Sequence, residues 1–260
     1  PPTRLAKILA QDHYWTDERN FGGPPVASTG YGLVCAALAE ATEYTEGWTG
    51  FMLRKDWGMN QDQLPTTHPI TAEIRDLADV EVNFDGITYA KGASVLRQLV
   101  SYVGREHFFA GLHEYLTKHS YQNATLADLL DELEKASGRD LKQWSRVWLE
   151  EAGITLLRPE IEVDDNGTIT KLAVLQESFS EGSSLRPHRL IVSGYSANEE
   201  GTISRVFSQE LDVDGASTVV EEAQGISRPD LILINDQDLA YAKVRLDPQS
   251  LDFAIRNISR

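Results

Sequence analysis

The sequence predicts an α + β protein of more than one domain, a helical half followed by a β-sandwich half. Two observations carry this reading. Near Gly153 the spacing of apolar residues changes from three-and-four to two, and beyond it turn residues recur at the interval of short strands.

From about Leu33 to Gly153 the first spacing holds, as in Val34, Leu38, Ala41 and Tyr44, or Leu126, Leu129, Leu130 and Leu133. That is the pattern of helices with one buried face, and about five of them fit this stretch. Thr125 before Leu126, with Asp128 three positions on, makes a capping-box start. Gly104 and Gly153 stand where helix C-caps belong. Between Gln61 and Asp85 the pattern breaks: Leu64-Pro65, His68-Pro69 and the alternating Val80, Val82 and Phe84 predict an extended loop of the kind that lines a site.

Beyond Gly153, period-two runs at Ile161–Val163, Ile169–Leu175, Arg189–Val192, Val206–Leu211 and Leu231–Ile234 predict strands. Asp164-Asp165-Asn166-Gly167, Glu181-Gly182, Asn198–Gly201 and Asp214-Gly215 supply the turns. A last segment puts Pro248 in a first helical turn with Leu251, Ile255 and Ile258 on one face, and reads as a helix that starts something else. Residues 1–32 fit neither half, since Gly22-Gly23-Pro24-Pro25 breaks any regular element, and are expected to be poorly ordered or divergent. The expected organisation is therefore 1–32 unassigned, 33–153 helical, 154–245 a β-sandwich, and 246–260 the start of a further helical domain.

With 41% hydrophobic and 25% charged residues the chain has the composition of a folded globular protein. A net charge of −16 argues against nucleic acid or an anionic membrane as partner, since both are held by clustered Lys and Arg. No apolar run approaches the roughly 18 residues of a membrane span. The single cysteine, Cys35, rules out an internal disulfide, fits a reducing compartment, and reads as a small buried residue. Cytoplasmic location is the expectation.

No pair among His13, His68, His107, His113, His119 and His188 has the spacing of an HExxH zinc helix. On one helix the six-residue steps from His107 to His113 to His119 each turn by about 240°, so the three point to different faces and read as solvated or partly buried. Trp48, Trp57, Trp144 and Trp148 read as core residues. The informative segment is Phe84-Asp85-Gly86-Ile87-Thr88-Tyr89-Ala90-Lys91-Gly92, a loop entering a helix, with glycines that permit close approach of another backbone. By its physics alone, one tyrosine in a first helical turn reads as structural, with a phenol placed to point into a cleft.

Tyr89-Ala90-Lys91-Gly92, with Val95-Leu96 behind it, resembles the Y-x-K-G motif of the aminopeptidase N family of zinc metallopeptidases. Glu40–Glu43, Gln63–Ile70, Val80–Phe84 and Asp140-Leu141 with Trp144 and Trp148 resemble the same family in its actinobacterial form, so that the likeness runs from about Leu33 to the C-terminus. It implies the helical C-terminal part of a thermolysin-like catalytic domain, then a β-sandwich, then a helical domain beginning near Leu246. In that family zinc, held by the two histidines of HExxH and a downstream glutamate, activates the water that attacks the N-terminal peptide bond, and the motif tyrosine stabilises the oxyanion. Carried onto this sequence, that catalytic role falls on Tyr89. The HExxH helix and the G-x-M-E-N loop that holds the substrate amine would precede Pro1, and Pro24–Thr29 stand where the motif of the third ligand is expected. The resemblance thus implies a zinc-dependent peptidase, but no zinc bound to this chain, little activity alone, and a peptide substrate. A non-catalytic interaction module, or the C-terminal partner of a split aminopeptidase, are the alternatives.

Overall fold

A computed structural model describes residues 47–71, 75–179 and 184–258. The expectations for residues 1–32, for His13 and Cys35, and for the turn at Glu181-Gly182 lie outside the described residues, as does the side chain of Trp48. The chain forms two compact units, one from the residues up to Leu99 together with Trp148–Gly153, the other from Val100–Val147 with Ile154 onward.

In the first unit α1 spans Gly47–Gln61 and α2 spans Leu77–Val82. Helix α2 corrects the extended loop expected over Gln61–Asp85. Asp76 accepts a hydrogen bond from the Asp79 amide, and Arg75 donates to Asp79 at 2.8 Å, so a local cap starts a helical turn where alternating valines suggested extension. Helix α2 buries none of its residues, and Leu77 and Val82 are exposed, so the alternation marks a surface and not a strand. A π-helical turn, Ile87–Lys91, then runs directly into α3, Gly92–Val103.

The second unit holds α4 (Arg105–Lys118), α5 (Leu126–Ser137) and most of α6 (Lys142–Leu149). The capping box at Thr125 and Asp128 is formed as expected, each side chain accepting from the other's backbone amide. Gly104, at φ +87°, separates α3 from α4. Gly153 also has positive φ, but α6 has already ended at Leu149, so it turns the chain into the first strand instead of capping a helix. Trp144 and Trp148 are buried, as their i, i+4 spacing suggests, whereas Trp57 is 39% exposed and is not a core residue.

From Thr155 the structure is strands. β1 (Thr155–Val163), β2 (Ile169–Ser178), β5 (Ser217–Val219) and β7 (Lys243–Val244) form one sheet in the order β5-β2-β1-β7, antiparallel except for the β1–β7 pair. β3 (His188–Ala197), β4 (Ile203–Val213) and β6 (Leu231–Asp236) form an antiparallel sheet ordered β4-β3-β6. Gly167, Gly201 and Gly215 take positive φ in the expected turns. One apolar cluster draws on both sheets, with Leu157, Leu172 and Val174 from the first and Leu190, Val192 and Ile232 from the second, all fully buried. Asp247 caps α7 (Pro248–Asn257) by accepting from the Gln249 and Ser250 amides, and Pro248 occupies the first turn. Phe253 is buried, while Leu251, Ile255 and Ile258 are exposed. Among the described residues no helix is long and apolar enough to cross a membrane.

Candidate active site

Tyr89 lies in the middle of the π turn, where the Gly92 amide reaches back five residues to the Ile87 carbonyl. Such one-residue expansions of a helix re-aim the side chains they carry, and they recur at functional sites. The Tyr89 amide donates to the Asp85 carbonyl at 3.1 Å. Its ring is partly buried and meets Phe84 edge-on, with centroids 4.7 Å apart. Among the described residues the phenolic oxygen accepts and donates no hydrogen bond. Partial burial raises the phenol above its ordinary pKa, so at neutral pH it is a protonated donor.

Both ends of the turn are fixed by side chains from elsewhere in the first unit. At its start, Asp85 Oδ1 accepts from the amides of Ile87 at 2.9 Å and Thr88 at 3.0 Å, and Gln61 Oε1 accepts from the Gly86 amide at 2.6 Å. The other Asp85 oxygen lies 3.0 Å from His68 Nε2, and His68 Nδ1 lies 2.7 Å from the Pro69 carbonyl. Both ring nitrogens therefore face oxygen acceptors; a neutral ring donates to one of them, an imidazolium to both.

At the far end Lys91 and Asp62 form an ion pair whose side chains are fully buried, with Nζ 2.8 Å from Asp62 Oδ2. Lys91 also donates to the Gly153 carbonyl at 2.9 Å, while Asp62 Oδ1 accepts from the Gly153 amide at 3.0 Å and from Thr67 Oγ1 at 2.6 Å. Two charges taken out of water are tolerable only with such added partners.

Helix α1 closes on the turn at Gly58, where a Cβ would come within 2.9 Å of the Gly86 carbonyl oxygen and 3.1 Å of Ala90 Cβ. The close approach of backbone expected at the glycines of the segment is made instead by Gly58. Gly86 itself faces the side chains of Gln61 and Trp57.

The other histidines do not join this site. His107 and His113 are exposed on α4 and His119 is its half-buried C-cap, in line with their expected scatter. His188 is fully buried in β3, its Nε2 3.2 Å from both Thr155 Oγ1 and Gln176 Oε1. Among the described residues no three His, Cys, Asp or Glu side chains converge to hold a metal ion.

Residues 33–148 match the Peptidase family M1 domain. Aminopeptidase N of Streptomyces lividans is 53% identical over 224 residues, which is 84% of this chain and 26% of that protein. This chain belongs to peptidase family M1. The tricorn protease-interacting factor F2 of Thermoplasma volcanium is 30% identical over 66% of the chain and 21% of its own length. The leucyl aminopeptidase of Saccharolobus solfataricus is 38% identical over 51% of the chain and 16% of its own length. The family M1 chain therefore spans about a quarter or less of these relatives. Zinc chemistry needs three protein ligands with an open fourth position, and the described residues of this M1 chain do not fit that requirement.

The clamp around Tyr89 is where sequence reading fell short. Lys91 stands alone as a charge in the run Ile87–Leu96, which is a signal that it requires a buried partner, but nothing in the sequence names Asp62 or the Gly153 backbone as that partner. The segments Gln63–Ile70 and Val80–Phe84, noted for their likeness to the family, contribute Thr67, His68 and Phe84 to this surrounding.

Proposed function

We propose that this chain is part of a zinc-dependent M1 aminopeptidase that removes N-terminal amino acids from peptides, and that Tyr89 is its catalytic oxyanion donor. The observation that carries the reading is a protonated phenol with no hydrogen-bond partner among the described residues, on a turn pinned at both ends by polar contacts. A donor contributes to rate when it is held in place beforehand and left unsatisfied until charge develops on the reacting oxygen. Zinc, supplied by a family-type HExxH segment, would provide the activated water; this chain's own contribution is the hydrogen bond from Tyr89.

In this reading residues 33–153 are the helical part of a thermolysin-like catalytic domain, 154–245 a β-sandwich domain, and 246–260 the opening of a helical domain. The drawing of one apolar cluster from both sheets supports the second assignment, and the exposed row Leu251, Ile255 and Ile258 supports the third. The chain alone would bind no stoichiometric zinc and show little peptidase activity, and it would act in the cytoplasm.

The test joins this chain to an HExxH-bearing segment of an M1 relative and measures hydrolysis of amino-acid anilides. Tyr89→Phe should lower kcat by roughly 10²- to 10³-fold, the usual cost of one oxyanion donor, with little change in KM. An unchanged kcat, or a loss confined to KM, would refute the role.

A further inference from the structure

We propose that His68 is a positioning residue for Tyr89, acting through Asp85. The inference rests on the reading of Tyr89 given above and extends it to a residue that never touches the phenol. One loop, Asp62–Pro69, grips the Tyr89 turn at both ends: Asp62 meets Lys91 at its close, and His68 meets Asp85 at its start. The loop is itself braced by the Thr67 hydroxyl, which donates to Asp62 at 2.6 Å. Asp85 divides its carboxylate, Oδ1 taking the amides of Ile87 and Thr88 and Oδ2 lying 3.0 Å from His68. The carbonyl of the same residue takes the Tyr89 amide. A rotation of the Asp85 carboxylate therefore releases the amides of Ile87 and Thr88, the two residues that lead into Tyr89, and His68 is the group that opposes that rotation.

The solvent exposure of this pair separates positioning from mere stabilisation. The His68 and Asp85 side chains are 19% and 21% exposed, whereas Lys91 and Asp62 are fully enclosed. The pair is less enclosed than Lys91–Asp62 and its loss should cost less stability than the loss of that pair, yet an oxyanion donor displaced by an ångström can lose on the order of 10²-fold in rate. Loss of His68 should then move the phenol at a smaller cost to the fold than loss of Lys91.

Two measurements test this. In the enzyme completed with an HExxH-bearing segment, His68→Ala should lower kcat about 10- to 100-fold with KM nearly unchanged. His68→Gln, which keeps an N–H donor, should recover most of the loss. In a Tyr89→Phe background His68→Ala should cost nothing further, because a residue acting through the phenol has nothing left to position. Independently of zinc, the 260-residue chain labelled with [¹³Cζ]tyrosine reports the Tyr89 titration directly, its signal assigned by loss in Tyr89→Phe. Burial holds that phenol above its ordinary value, and His68→Ala should bring it down while His68→Gln should not. Additive losses from His68→Ala and Tyr89→Phe, or a Tyr89 titration unmoved by His68→Ala, would overturn the proposal while leaving Tyr89 as the donor. An unchanged kcat in Tyr89→Phe would remove both. If His68→Ala fails to fold, the pair is structural and the proposal also falls, unless His68→Gln folds and keeps the wild-type Tyr89 titration and kcat.

Discussion

The two sheets and the turn that carries Tyr89 each enclose buried side chains, yet they are held by opposite means. The sheets share an apolar cluster in which Leu157, Leu172, Val174, Leu190, Val192 and Ile232 lie fully enclosed, and each makes the same kind of contact as its neighbours. The Tyr89 turn is fixed by a few polar contacts, each with a different partner: Asp85 with two amides and His68, Lys91 with Asp62 and Gly153. An apolar cluster loses the transfer free energy of the deleted atoms plus a cavity term set by how far its neighbours relax. A buried ionic contact behaves otherwise, because removing one member strands the other without water. The sheet core should therefore fail gradually, and the turn abruptly.

Lys91→Met is the sharpest way to expose that difference. It leaves the Asp62 carboxylate buried beside no cation, and should cost about 3–5 kcal/mol in urea unfolding, despite the similar volume of the new side chain. Adding Asp62→Asn should recover a large part, because the stranded charge is gone while an amide oxygen remains for Thr67 and the Gly153 amide. A cost below about 1 kcal/mol for Lys91→Met, or no recovery in the double variant, would mean that the pair is not the element holding the turn.

Leu172→Ala probes the other region. Leu172 is fully enclosed in the shared cluster, so truncation should cost about 2–5 kcal/mol through lost transfer free energy and the cavity left behind. No single second substitution should restore it as Asp62→Asn restores Lys91→Met, since the cavity has no one partner. A loss near zero would indicate that the cluster collapses around the deletion and that the sheets are not held together by it.

The same contrast explains what the sequence disclosed. A strand declares its burial in its own residues, so the runs at Ile169–Leu175 and Leu231–Ile234 were legible as strands, and Asn166-Gly167, Asn198–Gly201 and Asp214-Gly215 as turns. The capping box at Thr125 was legible because both members lie within one helical turn. The clamp of Tyr89 was not, since its members are brought together by the fold: Asp62 lies far in sequence from Lys91 and from Gly153. The π turn was hidden for a related reason, since the groups against it, Gly58, Gln61 and Asp62, lie far from it in sequence. Helix α2 misled through a coincidence of pattern, Val80, Val82 and Phe84 alternating along a surface helix and its exit. What pointed to Tyr89 was the family motif, and the structure adds the reason its lysine accompanies the tyrosine.

The smallest effect belongs to an interaction that is local, solvated and of neither kind. Thr125 caps α5 by accepting from the Asp128 amide, and Asp128 returns the bond to the Thr125 amide at 2.7 Å while accepting from its hydroxyl at 2.7 Å. Thr125→Ala leaves the Asp128 amide without its acceptor, a group that water can reach, so the cost should be about 1 kcal/mol and not the several expected of Lys91→Met. The cost should also depend on pH in a determined direction. The hydroxyl and then the amide of Thr125 hold the Asp128 carboxyl below its ordinary value of 3.8, so the folded state binds this proton less readily than the unfolded state. That contribution is fully present above the ordinary value, and it is lost as pH falls through the lower folded value. In Thr125→Ala the leading cause of the depression is gone. The stability gap between wild type and variant should accordingly be constant from pH 7 to about 5, and should narrow below about 4 as Asp128 is protonated in both. Thermal unfolding monitored by far-ultraviolet circular dichroism across that range would detect it. A gap that widens in acid would reverse the sign, and would show that Thr125 serves the helix by something other than its exchange with Asp128.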